Sequence, residues 1–358
     1  MRNVAKPTIT VLIDTYNHER FIEEALVSVI EQDFSPADVE ILVVDDGSTD
    51  RTPEIVRKFE PRVRLIRKKN GGQASAFNAG IPEAHGEIVA FLDGDDWWAR
   101  NKLSLVVDAM SADAELGIVG HGIITVHRDG REQSEMLREE FRFQADTVAG
   151  ARLFRLRKSF LGTSRMTIRA SLLRRIGPVP EALTVEADEY LFTLASVLAL
   201  AQILPDALTF YRLHDANAFL LSGKDPAKVR TKQDALAALS KILSGRLENL
   251  GVEPRARRVI TEIVQAEADQ VRLSIDGGWP WETVAVEWTI YATLYPKASP
   301  VQRGFRALSL LPALAIPPRM FYSIRQRLAR SGFYLRGRRR LLPVPEPAHA
   351  QRSWKTGN

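Results

Sequence analysis

An α/β fold built on a mostly parallel sheet flanked by helices, followed by an α-helical region, is what this sequence predicts. Three observations predict it. Strand and helix periodicities alternate from residue 8 to 126. Three of the strand runs end in carboxylates. From about residue 226 the pattern is helical throughout.

The elements follow in order. TITVLI (8–13) is a short apolar run with strand character. HERFIEEALVSVIEQ (18–32) places Phe21, Ile22, Ala25, Leu26, Val29 and Ile30 on one helical stripe. EILVVDD (40–46) reads as a buried strand ending in two acids. Ser48, Thr49 and Asp50 supply cap chemistry for a helix to about Phe59. VRLIR (63–67) is a strand and NGG (70–72) a turn. QASAFNAGIPEA reads as a helix weakened by Gly80 and ended near Pro82. EIVAFLD (87–93) is a strand, 100–111 a helix, and GIVGHGIITV (117–126) a strand. Residues 127–185 are Arg-rich and irregular, with a strand around SRMTIRA (164–170), and 186–200 form a helix. Helices then cover 231–249, 255–275 and 281–294, with shorter pieces to about 330. Three prolines and small polar residues predict disorder over 341–358.

The 358 residues are 45% hydrophobic and 26% charged, enough to build a full core and to exclude collagen-like or wholly disordered chains. There is no cysteine, which excludes a disulfide scaffold, a thiolate metal site and a cysteine nucleophile, and fits a reducing cytosol. The apolar run before Asp14 is too short for a signal peptide. No run reaches the roughly 18 residues of a spanning helix. Net charge is +5, but residues 300–358 alone carry +11, so the first 299 residues carry −6. An acidic body with a basic tail predicts a tail that meets an anionic surface.

Ligands of parallel α/β sheets bind at the carboxyl ends of the strands. Here those ends read Asp14-Thr15-Tyr16-Asn17, Asp45-Asp46-Gly47-Ser48 and Asp93-Gly94-Asp95-Asp96. So many carboxylates on one edge repel one another unless a cation or hydrogen-bond donors offset them. A hard divalent ion takes oxygen ligands from one or two carboxylates plus substrate phosphates, so the edge suits a metal–diphosphate. Neither GxxxxGK[ST] nor GxGxxG is present, which argues against a P-loop NTPase and an ordinary dinucleotide enzyme.

The ordered set TVLIDTYNHERFIEEALVSVIEQ, EILVVDDGSTDRT, NGGQASAFNAG and GEIVAFLDGDD resembles the N-terminal half of glycosyltransferase family 2. TSRMTIRASLLRRIGPVPE (163–181), EADEYLF (186–192) and YRLHDAN (211–217) continue the resemblance, which covers about residues 7–220. It implies the GT-A fold, a Rossmann-like sheet, and a metal-dependent, inverting transfer of sugar from a nucleotide-diphosphate donor, a UDP-sugar for preference. The implied acceptor is a hydroxyl on a glycan or lipid-linked glycan, and the implied cofactor is Mg2+ or Mn2+. By the same resemblance Thr15 and Tyr16 pack on the base, Asp46 hydrogen-bonds it, and Asp45 supports that loop. Asp93 and Asp95 form the DXD motif, Asp95 on the metal and Asp93 on ribose or metal. Asp188 stands at the catalytic base, and His214 and Arg212 face the metal or diphosphate. The chain departs from the family pattern at Asp14, where Pro or a small residue is usual. The ED position reads Ala187-Asp188-Glu189, which leaves Glu186 and Glu189 as alternative bases.

The expected domains are a glycosyltransferase domain over 1–225, a helical region with basic tail over 226–340, and the disordered 341–358. Trp97 and Trp98 suit either a sugar platform or the core. The segment 307–340 joins a twelve-residue apolar stretch to eight arginines, which suits peripheral attachment to an anionic membrane at the cytoplasmic face. No nucleic-acid partner is expected. Two other functions are weighed. A sugar-phosphate nucleotidyltransferase needs a Gly- and basic-rich loop where Asp-Thr-Tyr-Asn-His-Glu stands. A non-catalytic membrane scaffold that binds nucleotide sugar would be favoured by loss of the DXD or the base, and both are present.

Overall fold

The computed structural model describes residues 8–214 and 225–329. They divide at Ala268 and Asp269 into two compact units. Residues 215–217 of the YRLHDAN stretch, the basic segment beyond 329 and the 341–358 tail lie outside the described residues.

The first unit begins with β1 (Ile9–Thr15), α1 (Ile22–Ile30), β2 (Val39–Asp45), α2 (Thr52–Arg57), β3 (Val63–Arg67), α3 (Gln73–Gly80) and β4 (Ile88–Asp93). It continues through β5 (Trp97–Trp98), α4 (Lys102–Ala112), β6 (Leu116–Val126), β7 (Glu132–Glu135), β8 (Phe141–Phe143), α5 (Val148–Arg157), β9 (Thr167–Arg169), α6 (Ala170–Ile176), α7 (Ala187–Leu198) and β10 (Leu200–Arg212). The helices α8 (Pro226–Asn249) and α9 (Pro254–Asp276) follow, so α8 and most of α9 group with the sheet. The strands form one sheet in the order β3-β2-β1-β4-β9-β6-β10-β5, with β7 on β6 and β8 on β10. β1, β2, β3 and β4 are parallel, as are β6 and β10, and β9 is inserted antiparallel between β4 and β6.

Strand alternation assigns the two faces. Ile9, Val11, Ile13, Ile41, Val43, Ala90 and Leu92 join Leu26, Val29, Val56, Val106 and Met110 in one core under α1, α2 and α4. Leu12 and Val44 face the other way and meet α3. A Cβ on Gly80 would lie 2.6 Å from Leu12, so the glycine that weakens this helix is what lets it lie on the sheet. At the other end of α3, Gly72 has φ +82 and a Cβ there would come within 2.7 Å of the Thr184 carbonyl. Just before the α2 cap residue Arg51, the Asp50 Oδ1 accepts from the Thr52 amide and hydroxyl. Trp98 is buried, Trp97 stacks on Phe210 at 5.1 Å, and both pair with β10.

β10 has no clear sequence signature, and the reason is in its register. Pro205 falls where the pairing to β6 shifts, between Ile203 and Ala207, so the alternation is broken.

The second unit holds the end of α9, then α10 (Pro280–Leu294), α11 (Pro300–Ala315) and α12 (Pro318–Ala329). α11 starts with a reciprocal cap: Ser299 Oγ accepts from the Gln302 amide and Gln302 Oε1 accepts from the Ser299 amide. Glu287 of α10 is buried and accepts from Gln270 (2.7 Å), Arg306 (3.0 Å) and Arg325. Among the described residues no helix is long and apolar enough to cross a membrane.

Candidate active site

The acidic residues meet where β1, β2 and β4 end. Main-chain bonds tie these ends beyond the ladder: Asp46 N to Thr15 O, Gly94 N to Asp14 O, and Lys68 N to Asp45 O. Asp45 is fully buried and braces its own loop, accepting from Ser48 N and Arg67 Nε, both at 3.1 Å. Asp46 accepts from the amides of Gly71 and Gly72 and from Lys68 Nζ at 2.6 Å, so NGG is folded against it. Thr15 is buried with its hydroxyl 3.2 Å from His18 Nδ1, while the neighbouring Tyr16 is 44% exposed.

Asp14 and Asp93 are directly opposite in the β1–β4 register. Burial, with the charges of Asp95, Asp188 and Asp46 adding to it, pushes Asp14 up to about 8. Its Oδ1 is buried with no hydrogen-bond partner. Burial and the surrounding acids, Asp14 first, raise Asp93 well above the usual carboxylate range. Asp95 goes the other way. Burial raises it, but the His214 hydrogen bond and the His18 and His214 charges outweigh burial and hold it low. Asp95 Oδ2 lies 2.8 Å from His214 Nε2 and 3.8 Å from His18 Nε2. Arg212 lies beside this loop, with Nε on the Asp95 carbonyl, its other end on Glu24, and its plane 4.3 Å from the Trp97 ring centre.

Asp188 is the second residue of α7. Its Oδ2 accepts from the amide and hydroxyl of Thr163, each at 3.2 Å. Burial and the charge of Glu189 raise its pKa. The two neighbouring acids are engaged elsewhere. Glu189 is buried on Arg155 (2.5 Å) and Lys158 (2.8 Å). Burial opposes its ionisation, but these two cations outweigh burial and hold it at about 2. Glu186 pairs with Lys232 at 3.0 Å and carries the left-handed φ of +61°.

Sequence reasoning placed Asp96 among the edge acids but gave no role to it, to Ser164 or to His18. Ser164 joins the parts of the edge: its hydroxyl donates to Asp96 at 2.6 Å and accepts from the Asp93 amide at 3.1 Å. Its carbonyl accepts from Trp98 Nε1, Lys102 Nζ and Thr209 Oγ1. A serine in a loop gives no pattern, and only the fold shows what it touches. Ser164→Ala orphans the Asp93 amide, so chemical denaturation should report a loss of about 1–3 kcal/mol. A loss below about 0.5 kcal/mol, as for an ordinary surface change, would mean the hydroxyl does not hold this edge.

The donors around Asp93, Asp95 and His214 are two carboxylates and an imidazole, beside the partnerless Asp14 oxygen. Among the described residues no group of three His, Asp or Glu side chains is placed to hold a metal ion by itself. A partial set of this chemistry fits Mg2+ or Mn2+, which take one or two carboxylates and complete their sphere with phosphate and water.

The profile of Glycosyl transferase family 2 matches residues 10–177. An uncharacterized glycosyltransferase of Nostoc sp. is 30% identical over 237 residues, 63% of this chain and 71% of that protein. The chain belongs to glycosyltransferase family 2. This glycosyltransferase also matches the poly(ribitol-phosphate) β-N-acetylglucosaminyltransferase TarS of Staphylococcus aureus, 34% identical over 125 residues, 32% of this chain but 22% of that protein. A TarS crystal structure superposes with a TM-score of 0.55 at 20% identity, over 81% of this chain and 82% of that one. TarS in complex with UDP-GlcNAc gives 0.56 at 20%, over 80% and 81%. The family 2 enzyme therefore has the GT-A architecture, with a helical region after it.

Proposed function

We propose that this enzyme transfers a sugar from a nucleotide-diphosphate donor, a UDP-sugar for preference, to a hydroxyl of a glycan or lipid-linked glycan, by one displacement with inversion. The observation that carries the proposal is the convergence of Asp14, Asp46, Asp93, Asp95 and Asp188 within electrostatic reach at one sheet edge. The family supplies the donor class, and TarS, whose solved complex contains UDP-GlcNAc, is the reason to prefer UDP.

Thr15, Tyr16, Asp45 and Asp46 are assigned to the nucleotide, with Tyr16 exposed for stacking and Asp45 acting through the loop it braces. Asp93 is assigned to ribose or metal, Asp95 and His214 to the metal, and Arg212 to the diphosphate side. When bound, Mg2+ or Mn2+ supplies a charge that offsets the negative charge developing on the leaving diphosphate. Asp188 takes the proton of the acceptor hydroxyl as its oxygen bonds to the anomeric carbon opposite the leaving group. Thr163 holds one oxygen of this base in place. The two cations on Glu189 and the pairing of Glu186 with Lys232 favour Asp188 over both for this role.

The test is release of nucleoside diphosphate from a panel of nucleotide sugars with Mn2+ present, with calorimetric titration of UDP with and without EDTA. Release from a UDP-sugar and a marked loss of affinity in EDTA are expected. Equal affinity in both would end the metal assignment, and release from another donor alone would end the UDP assignment. Attachment to an anionic membrane is proposed as the route to a lipid-linked acceptor.

A further inference from the structure

Among the described residues, the second unit presents an exposed apolar helix face. On α11, Val301, Phe305, Leu308, Leu311 and Leu314 are 51–81% exposed and recur at steps of four and three residues, the spacing of one broad helix face. α12 adds exposed Met320, Ile324 and Leu328, each four residues from the last. The opposite faces are filled: Leu310 and Ala313 of α11 and Tyr322 of α12 are buried, and Arg306 and Arg325 are both held by Glu287. The two helices are thus anchored from within, and their exposed apolar residues have no place in their own unit's core. So large an exposed apolar surface marks an interaction site.

Charge identifies the partner. From Thr289 to Pro345 the chain has ten arginines, one lysine and no acid. Arg319 and Arg327 stand among the exposed apolar residues of α12, where long stems can lie along apolar surface with the cations at its rim. An apolar face edged by cations suits an anionic lipid surface, with the apolar groups at acyl depth and the guanidinium groups among phosphates. α11 spans about 24 Å at 1.5 Å per residue and contains Pro312, so it suits lying in the interface rather than crossing it.

We infer that the outward faces of α11 and α12 form an interfacial docking surface for anionic lipid. This narrows the membrane reading from a basic tail to named apolar residues on two folded helices. It rests on their exposure and not on the transfer chemistry, so either can fail alone.

The test uses the 358-residue chain and its Leu308→Glu/Leu311→Glu variant. Both are co-sedimented with vesicles of phosphatidylglycerol and phosphatidylcholine in equal parts, and with phosphatidylcholine alone. UDP binding checks that the variant is folded. Wild type should bind the anionic vesicles at least ten-fold more tightly than the neutral ones, and 0.5 M salt should weaken that binding. The variant should lose at least ten-fold while keeping UDP affinity. Equal binding by variant and wild type overturns the proposal, as does failure of wild type to bind either vesicle. A wild-type dimer by light scattering that becomes monomeric in the variant, with no vesicle binding by either, assigns the face to a second copy instead. Should the double variant not fold, Phe305→Ser with the same measurements decides.

Discussion

Asp188→Asn is expected to slow sugar transfer by about two to four orders of magnitude while donor affinity stays close to wild type. The substitution keeps shape and hydrogen bonding to Thr163 but removes the charge that accepts a proton. That proton becomes acidic only as the acceptor oxygen bonds to carbon, so the loss falls on the transition state. Burial and Glu189 raise the Asp188 pKa, which makes it a stronger base than a free aspartate of about 3.9. Activity is then lost as pH falls through that raised value, so the acidic limb of kcat/KM lies higher than a free aspartate would place it. The variant should lack this limb in its residual activity. The control is Glu189→Gln, which leaves Arg155 and Lys158 with Glu267 as their remaining anion. It should destabilise the fold by about 1–3 kcal/mol, visible in denaturation before any assay. If Asp188→Asn retains a near-wild-type rate, the base is another group. If a folded Glu186→Gln variant then loses the rate, the assignment is off by two residues.

Asp95→Ala should lose both donor binding and turnover. Charge neutralisation at a leaving phosphate is worth several kcal/mol, so kcat/KM should fall by at least about 100-fold. The variant also removes the anion facing His214 at 2.8 Å and His18 at 3.8 Å. Two variants and one reagent therefore separate the two roles: EDTA should weaken UDP binding to Asp188→Asn as it does to wild type, and change nothing further in Asp95→Ala. An EDTA effect of wild-type size in Asp95→Ala would move the metal away from this carboxylate.

Much of the edge was legible in the sequence, because strand ends in a parallel sheet are fixed by apolar runs and the acids follow them directly. The runs ending at Asp14, Asp45 and Asp93 became β1, β2 and β4, with Asp14 next to the last residue of β1 and Asp45 and Asp93 the last of β2 and β4. What stayed hidden depends on contacts between distant segments. The strand expected around 164–170 is present as β9, but its shortness and its antiparallel place between β4 and β6 were not legible. β10 is masked by Pro205, and α5 by a sequence in which three of ten residues are arginine. Ser164 has no pattern of its own, and the difference between Asp188 and Glu189 depends on where Arg155 and Lys158 arrive from α5 and the turn after it.

The crowded acids at the sheet edge also bear on how the protein can be improved. Asp14, Asp93, Asp96 and Asp188 all titrate above their ordinary range, so each ionises more readily in the unfolded chain than in the folded one. Stability carried by these groups is complete below about pH 4, where both states hold their protons, and declines as pH rises toward the folded values. A screen that selects only for heat resistance would therefore be drawn to amides at these positions. For an engineer seeking heat resistance, the edge marks residues to hold fixed.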